Sequence, residues 1–331
     1  MDFQLSDDQR ALRSGMRDLL DAVFDRDRMR AAVERGGTLD RSLWRELGAA
    51  GFFALRLPEE AGGVGLGLPE AVLLFEEAGR ALLPGPLVAT HLAAGLVKGA
   101  AEGEAVVTAV DGDLPVAHLA EADAVLVGTD ALVGEPLRAL VAAARPVRSM
   151  DPLTPLHRVA GRTAPTQAYS GVLHYEGALL TAAEQLGSAA RTTETAVQHA
   201  GDRQQFGSPI GSFQAVKHLC ADMLARTEPA RAAVYAAAVT GDPVEIAAAK
   251  LLADEAAVRN ARDCLQIHGG MGFTWEADVH LHLKRAWLRS AARLTAAGAE
   301  ELLAAGLGAA RPYPGSSAAS GRGAPEGGGG G

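Results

Sequence analysis

Two short glycine-bearing blocks, Arg203-Gln204-Gln205-Phe206-Gly207-Ser208-Pro209-Ile210-Gly211-Ser212-Phe213-Gln214 and Gln266-Ile267-His268-Gly269-Gly270-Met271-Gly272-Phe273, cut an otherwise helix-forming C-terminal half. Helix is predicted from about residue 178 to the first block, from 213 to about 239, from 243 to 268 and from about 275 through 303, with one more loop at Gly241-Asp242-Pro243. Long helices joined by short turns bury their apolar stripes against one another, so this half is expected to be a four-helix bundle. Apolar residues make up 48% of the chain and aromatics only 5%, so its cores must be built mainly from Ala, Leu and Val. Small aliphatic side chains of that kind favour packed helices.

Ser6 is a plausible N-cap with acids in the following turn, and Leu12, Met16, Leu19, Leu20 and Val23 recur at helical spacing. A second helix, around 41–50, carries Leu43, Trp44 and Leu47 and stops at Gly51. Beyond Phe52 and Phe53 comes Pro58-Glu59-Glu60-Ala61-Gly62-Gly63-Val64-Gly65-Leu66-Gly67. A phosphate-cradling glycine loop needs a buried parallel strand before it, and here helices lie on both sides, so this is read as a connecting loop. Helices follow at 69–80 and 87–100, parted by Leu83-Pro84-Gly85-Pro86. From residue 104 the texture changes to short apolar runs at 105–110, 124–127 and 139–141, read as strands. The chain is therefore expected to be mainly α with a small central β-domain (α+β). It divides into an N-terminal helical domain at 1–103, a shortened β-domain at 104–176 and a C-terminal bundle at 177–310. Residues 311–331, rich in Gly, Ser, Ala and Pro and ending in five glycines, are expected to be a disordered tail.

A net charge of −9 with both signs interspersed offers no electrostatic footprint for a nucleic acid. Two cysteines, Cys220 and Cys264, lie far apart in predicted helices and read as buried packing residues of a protein kept in a reducing compartment. The N-terminus is acidic, and no run approaches the ~18 apolar residues that span a bilayer. A cytoplasmic protein without membrane association is expected.

Taken singly, the glycine blocks have plain readings. Arg203 at a helix end could be a solvated cation on the helix dipole, or its planar fork of donors could grip a pyrophosphate. Gly269-Gly270 could merely stop a helix, or let backbone N–H groups approach phosphates. In order and together, however, the blocks resemble the C-terminal half of the acyl-CoA dehydrogenase family. The Trp44 helix with its Pro-Glu-Glu turn resembles that family's N-terminal domain. The resemblance implies FAD as cofactor, with Arg203, Gln205, Phe206 and Gln214 facing the FAD of an adjoining subunit and Gln266, Gly269 and Gly270 completing the surface. It also implies an acyl-CoA substrate and an electron-transfer flavoprotein as acceptor.

Two family features are missing. The threonine- and glycine-rich stretch ending in Ser-Asp, and the Trp-Ile-Thr or Ser stretch, which together hold the isoalloxazine ring, have no counterpart in 104–175. Counting from Gln266 at family spacing, the usual catalytic carboxylate falls on Arg293 in Ser290-Ala291-Ala292-Arg293-Leu294-Thr295, and an Arg cannot abstract a proton at neutral pH. The alternative family position, on the first bundle helix, leaves Glu184 and Glu176 as candidates. Glu184 is read more readily as a polar residue at a helix interface. His280 and His282, at i and i+2, diverge on a helix and make a poor metal pair, so no metal is expected. Their segment, 275–285, resembles the short subunits of actinobacterial α2β2 acyl-CoA dehydrogenases. The resemblance thus implies half of a heteromer, anchoring FAD for a second acyl-CoA dehydrogenase-like subunit that supplies the base and the flavin-ring contacts. A self-sufficient homo-oligomer and a non-catalytic scaffold subunit are the alternatives.

Overall fold

The computed structural model describes residues 4–159 and 172–309. The tail expected to be disordered, 311–331, lies outside them. Helix α1 (Asp7–Val23) starts from the expected cap: the Ser6 hydroxyl accepts from the Gln9 amide and the Gln9 side chain from the Ser6 amide, both at 3.1 Å. Helix α2 (Arg26–Glu34), capped by Asp25, escaped the sequence reading because only Met29 and Ala32 of its mostly charged residues are buried. Helix α3 (Arg41–Ala49) is capped by Asp40 and buries Leu43, Trp44 and Leu47. Helix α4 (Leu68–Arg80) is buried along almost its whole length. Four buried aromatics meet here: Trp44 packs tilted against Phe53 with ring centroids 4.7 Å apart, and Phe52 against Phe75 at 5.1 Å. The helix expected at 87–100 is shorter, α5 (Leu87–Leu92), with turns beyond it through Gly95 and Gly99.

The strands form two small sheets. β1 (Val107–Ala109) runs parallel to β3 (Ala124–Val127), which pairs antiparallel with β4 (Asp130–Leu132); β2 (Val116–Ala117) and β5 (Ala144–Val147) flank β6 (Leu156–Val159), both antiparallel. The strand expected at 139–141 is instead part of a helix, α6 (Gly134–Ala143). A short apolar run does not reveal its period. Leu137, Leu140 and Val141 recur at helical spacing and pack together against Val125 of the sheet.

Helix α7 (Val172–Asp202) runs into a hairpin of β7 (Gln204–Gln205) and β8 (Ser208–Pro209), followed by α8 (Gln214–Thr240) and α9 (Pro243–His268). Asp242 caps α9, with Pro243 at its first position. The final helical stretch expected from 275 is split into α10 (Val279–Ser290) and α11 (Ala296–Ala309), because Arg293 adopts φ +63 between them. Helix α7 is the centre of the molecule, packing on α9, α8 and α4. Its crossing with α4 is close because Gly79 sits against the Glu184 backbone and Gly187 against that of Glu76. Cys264 is buried as expected, but Cys220 is only half-buried, at the margin of a satellite core around Met223.

Candidate active site

The two glycine blocks meet at one end of the bundle. His199 of α7 stacks on His268 of α9 with centroids 4.0 Å apart, and Ile210 and Leu219 share a satellite core with Cys264, Leu265 and Ile267. Arg203 follows the last turn of α7, its amide donating to the His199 carbonyl at 2.9 Å. At the hairpin tip Phe206 (φ +54) and Gly207 (φ +79) both take the positive φ that a type I′ turn requires. The tip thrusts Phe206 into solvent, 94% exposed, with Phe213 edge-on to it at 6.2 Å. Arg203, Gln205, Gln214 and Gln266 are all exposed, and among the described residues their side chains make no hydrogen bond or ion pair. At the end of α9, Gly269 has φ +60 and ψ −140, a conformation only glycine adopts readily, and nothing crowds Gly269 or Gly270 from outside. Phe273 and Trp275 beside it are 77% and 58% exposed.

This surface suits a dinucleotide in three respects. It offers a guanidinium with all its side-chain donors unused, an open glycine turn, and the exposed aromatic rings of Phe206 and Phe273. It does not open into the cavity that Glu184 lines.

That cavity, of about 190 Å³, lies between the start of α5, the sheet region and the C-terminal half of α10. Leu87, Val88, Leu114 and Leu288 form apolar walls. Glu184 lines it, and its carboxylate accepts from Arg289 Nη2 at 2.6 Å. Burial pushes Glu184 up against the opposing pull of Arg289, Arg285 and Arg293, and pushes Arg289 down to about 10. Desolvation thus dominates on both partners, and Arg289 stays charged at neutral pH. Arg285 pairs with Asp151, which Thr154 also holds at 2.6 Å, and the paired charge keeps that carboxyl below its ordinary range despite burial. Arg293 lines the cavity too; its amide donates to the Asp111 carboxylate and its side chain packs on Gly177.

Glu176 lies elsewhere, clamped by Arg56 at 2.7 and 3.0 Å in a different depression beside His91 and Leu96. The sequence candidates are therefore separated. The seven residues of the glycine blocks share one outer surface, Glu184 and Arg293 share the cavity, and Glu176 belongs to neither. His282 is buried against the Ser188 hydroxyl at 2.8 Å, and His280 meets Trp275 edge-to-face. The sequence alone does not single out Arg285, Arg289 and His118 at the cavity, or Asp151 paired with Arg285. Arg285, Arg289 and Arg293 recur every four residues, a pattern legible in the sequence, whereas the break between α10 and α11 is not.

The mostly helical architecture with a small sheet region is that of the acyl-CoA dehydrogenase fold. Residues 6–102 match the model described as acyl-CoA dehydrogenase, N-terminal domain, and residues 171–310 the one described as acyl-CoA dehydrogenase, C-terminal domain. The chain belongs to the acyl-CoA dehydrogenase family, FAD-dependent oxidoreductases. It is 40% identical to the acyl-CoA dehydrogenase IpdE2 of Mycobacterium tuberculosis over 78% of its own length and 84% of that protein's. Similarity to IpdE2 of Mycolicibacterium smegmatis is 34% over 85% and 93% of the two chains. In fold it matches a chain of the ChsE4-ChsE5 complex from Mycobacterium tuberculosis with a TM-score of 0.80 at 24% identity, covering 93% of this chain and 99% of that one. Among the described residues no helix is long and apolar enough to cross a membrane.

Proposed function

We propose that this chain is one subunit of a hetero-oligomeric acyl-CoA dehydrogenase, anchoring the adenine and pyrophosphate of FAD for a homologous partner that supplies the catalytic base. The observation that carries this reading is a separation in space. None of Arg203, Gln205, Phe206, Gln214, Gln266, Gly269 or Gly270 lines the chain's own cavity, and all lie on an outer surface free to meet another subunit. Arg203 would hold the pyrophosphate through paired N–H donors, and the amides after the Gly269 turn would approach the same phosphates. Phe206 would pack on apolar surface where the two chains meet. Bound there, the flavin supplies hydride acceptance in the α,β-dehydrogenation of an acyl-CoA thioester. Within the chain itself the family's base position is held by Arg293, a permanent cation that cannot take the α-proton. Re-oxidation by an electron-transfer flavoprotein and a cytoplasmic setting, which suits the free thiols Cys220 and Cys264, complete the proposal.

The titration of purified protein with FAD tests it, first for the chain alone and then for the chain co-expressed with a full-length homologue. Flavin is expected only in the co-purified complex, near one per pair of chains, and Arg203→Ala is expected to weaken its retention about tenfold or more, as loss of a charge-assisted contact does. Glu184 at the cavity wall favours the second reading, a self-sufficient enzyme. Stoichiometric flavin and acyl-CoA turnover in the chain alone, abolished by Glu184→Gln, would establish that reading instead.

A further inference from the structure

The cavity beside Glu184 contains more hydrogen-bond donors than its own residues satisfy. Arg285 spends Nε on Asp151 and Nη1 on the Leu83 carbonyl at 3.1 Å, leaving Nη2 buried and unpartnered. Arg289 gives Nη2 to Glu184 and leaves Nη1 in the same state. His118, held at φ +53 with Nδ1 3.2 Å from Glu121, leaves Nε2 unpartnered as well. All three residues line the cavity and are at least nine-tenths buried, at 3%, 8% and 1% exposure. Arg293, at the same wall, has no side-chain hydrogen bond among the described residues. Buried guanidinium donors are ordinarily satisfied, and the planar fork of a guanidinium matches the two oxygens of a carboxylate. The remaining wall is apolar, and the volume exceeds the ~150 Å³ that accommodates a benzene ring.

We propose that this cavity binds a carboxylate carried on a compact apolar body, such as a small cyclic or branched carboxylic acid. The carboxylate would be taken by the free donors of Arg285 and Arg289, with Arg293 at the wall, and the hydrocarbon by Leu87, Leu114 and Leu288. Asp151 and Glu184 already pair with Arg285 and Arg289, whereas Asp111 accepts from the Arg293 amide and leaves that guanidinium without a salt bridge among the described residues. The site is separate from the flavin surface and does not depend on that surface being occupied.

Calorimetric titration of the purified full chain with cyclohexanecarboxylate, and in parallel with cyclohexylmethanol, tests this. The acid is expected to bind saturably at one site and the alcohol at least tenfold more weakly. Because Arg289→Met removes the partner of buried Glu184 and could unfold the chain, the deciding variant is Leu114→Trp. Leu114 is 40% exposed, so a larger side chain fits there and fills the cavity mouth. Binding of the acid should vanish in Leu114→Trp and persist in Arg203→Ala. Equal binding of acid and alcohol, or no binding of either, overturns the proposal, since the donors are then not a carboxylate site. Unchanged acid binding in Leu114→Trp overturns it too, because the acid then sits elsewhere.

Discussion

At the scale of single residues, the interior of this protein holds histidines that must stay neutral. His282 is buried against Ser188 with Arg80, Arg191, Arg285 and Arg289 around it, and burial together with those cations pushes it down to about 3. His91, buried with Nδ1 3.2 Å from the Phe52 carbonyl, is pushed down to about 4. In the unfolded chain each titrates near 6.5. Above that value neither state binds the proton and stability is intact; below it the unfolded chain takes up protons that the folded one refuses, so stability is lost as pH falls. Between pH 6.5 and pH 5 each such histidine costs about 2 kcal/mol. Urea unfolding at pH 7 and at pH 5 should therefore show a marked loss, and His282→Gln should reduce the difference by about 2 kcal/mol whatever it does to stability at pH 7. A variant that loses as much stability as the parent on acidification would mean His282 is protonated in the fold.

Between elements, the position of Glu184 depends on how closely α7 crosses α4. Glycines at the crossing, Gly79 and Gly187, put backbone against backbone, and a Cβ at Gly187 would collide with the Glu76 carbonyl and the Arg80 amide. Gly187→Ala is expected to cost roughly 1–3 kcal/mol, as overpacking does. Gly201→Ala, near the end of the same helix with nothing within 4 Å, should be neutral or gain a few tenths to about 1 kcal/mol. Thermal denaturation of the two variants side by side separates crowding at the crossing from helix propensity. That close crossing was invisible in the sequence, because a glycine inside a helical pattern looks the same whether it faces solvent or a neighbour. The long helices were legible, since α7, α8 and α9 each repeat an apolar stripe between clear stops. What failed were short elements: α2 has too few apolar residues to show a period, and 139–141 is too short to distinguish strand from helix. The outer surface was legible as two linear blocks, while the cavity was not, being assembled from side chains on α7, α10 and the sheet region that lie far apart in sequence.

For the molecule as a whole, the question is what covers the end of the bundle. A chain with only 5% aromatic residues places Phe206, Phe273 and Trp275 there at 94%, 77% and 58% exposure, while burying Trp44, Phe52, Phe53 and Phe75 completely. A large side chain left in water at the tip of a hairpin adds nothing to the fold of its own chain, and grouped exposed aromatics mark surfaces that meet another molecule. If the proposed heteromer forms through this end, Phe206→Asp and Phe273→Asp should leave the isolated chain's melting temperature and circular dichroism unchanged, since neither ring belongs to its core. The same substitutions should dissociate the co-expressed complex in analytical ultracentrifugation, each weakening assembly by about tenfold or more, as loss of a central aromatic anchor does. Lowered thermal stability of the isolated variants would assign the rings to the fold. Intact complexes carrying both substitutions would put the partner on another face and leave the glycine blocks without the neighbouring subunit that the flavin proposal requires.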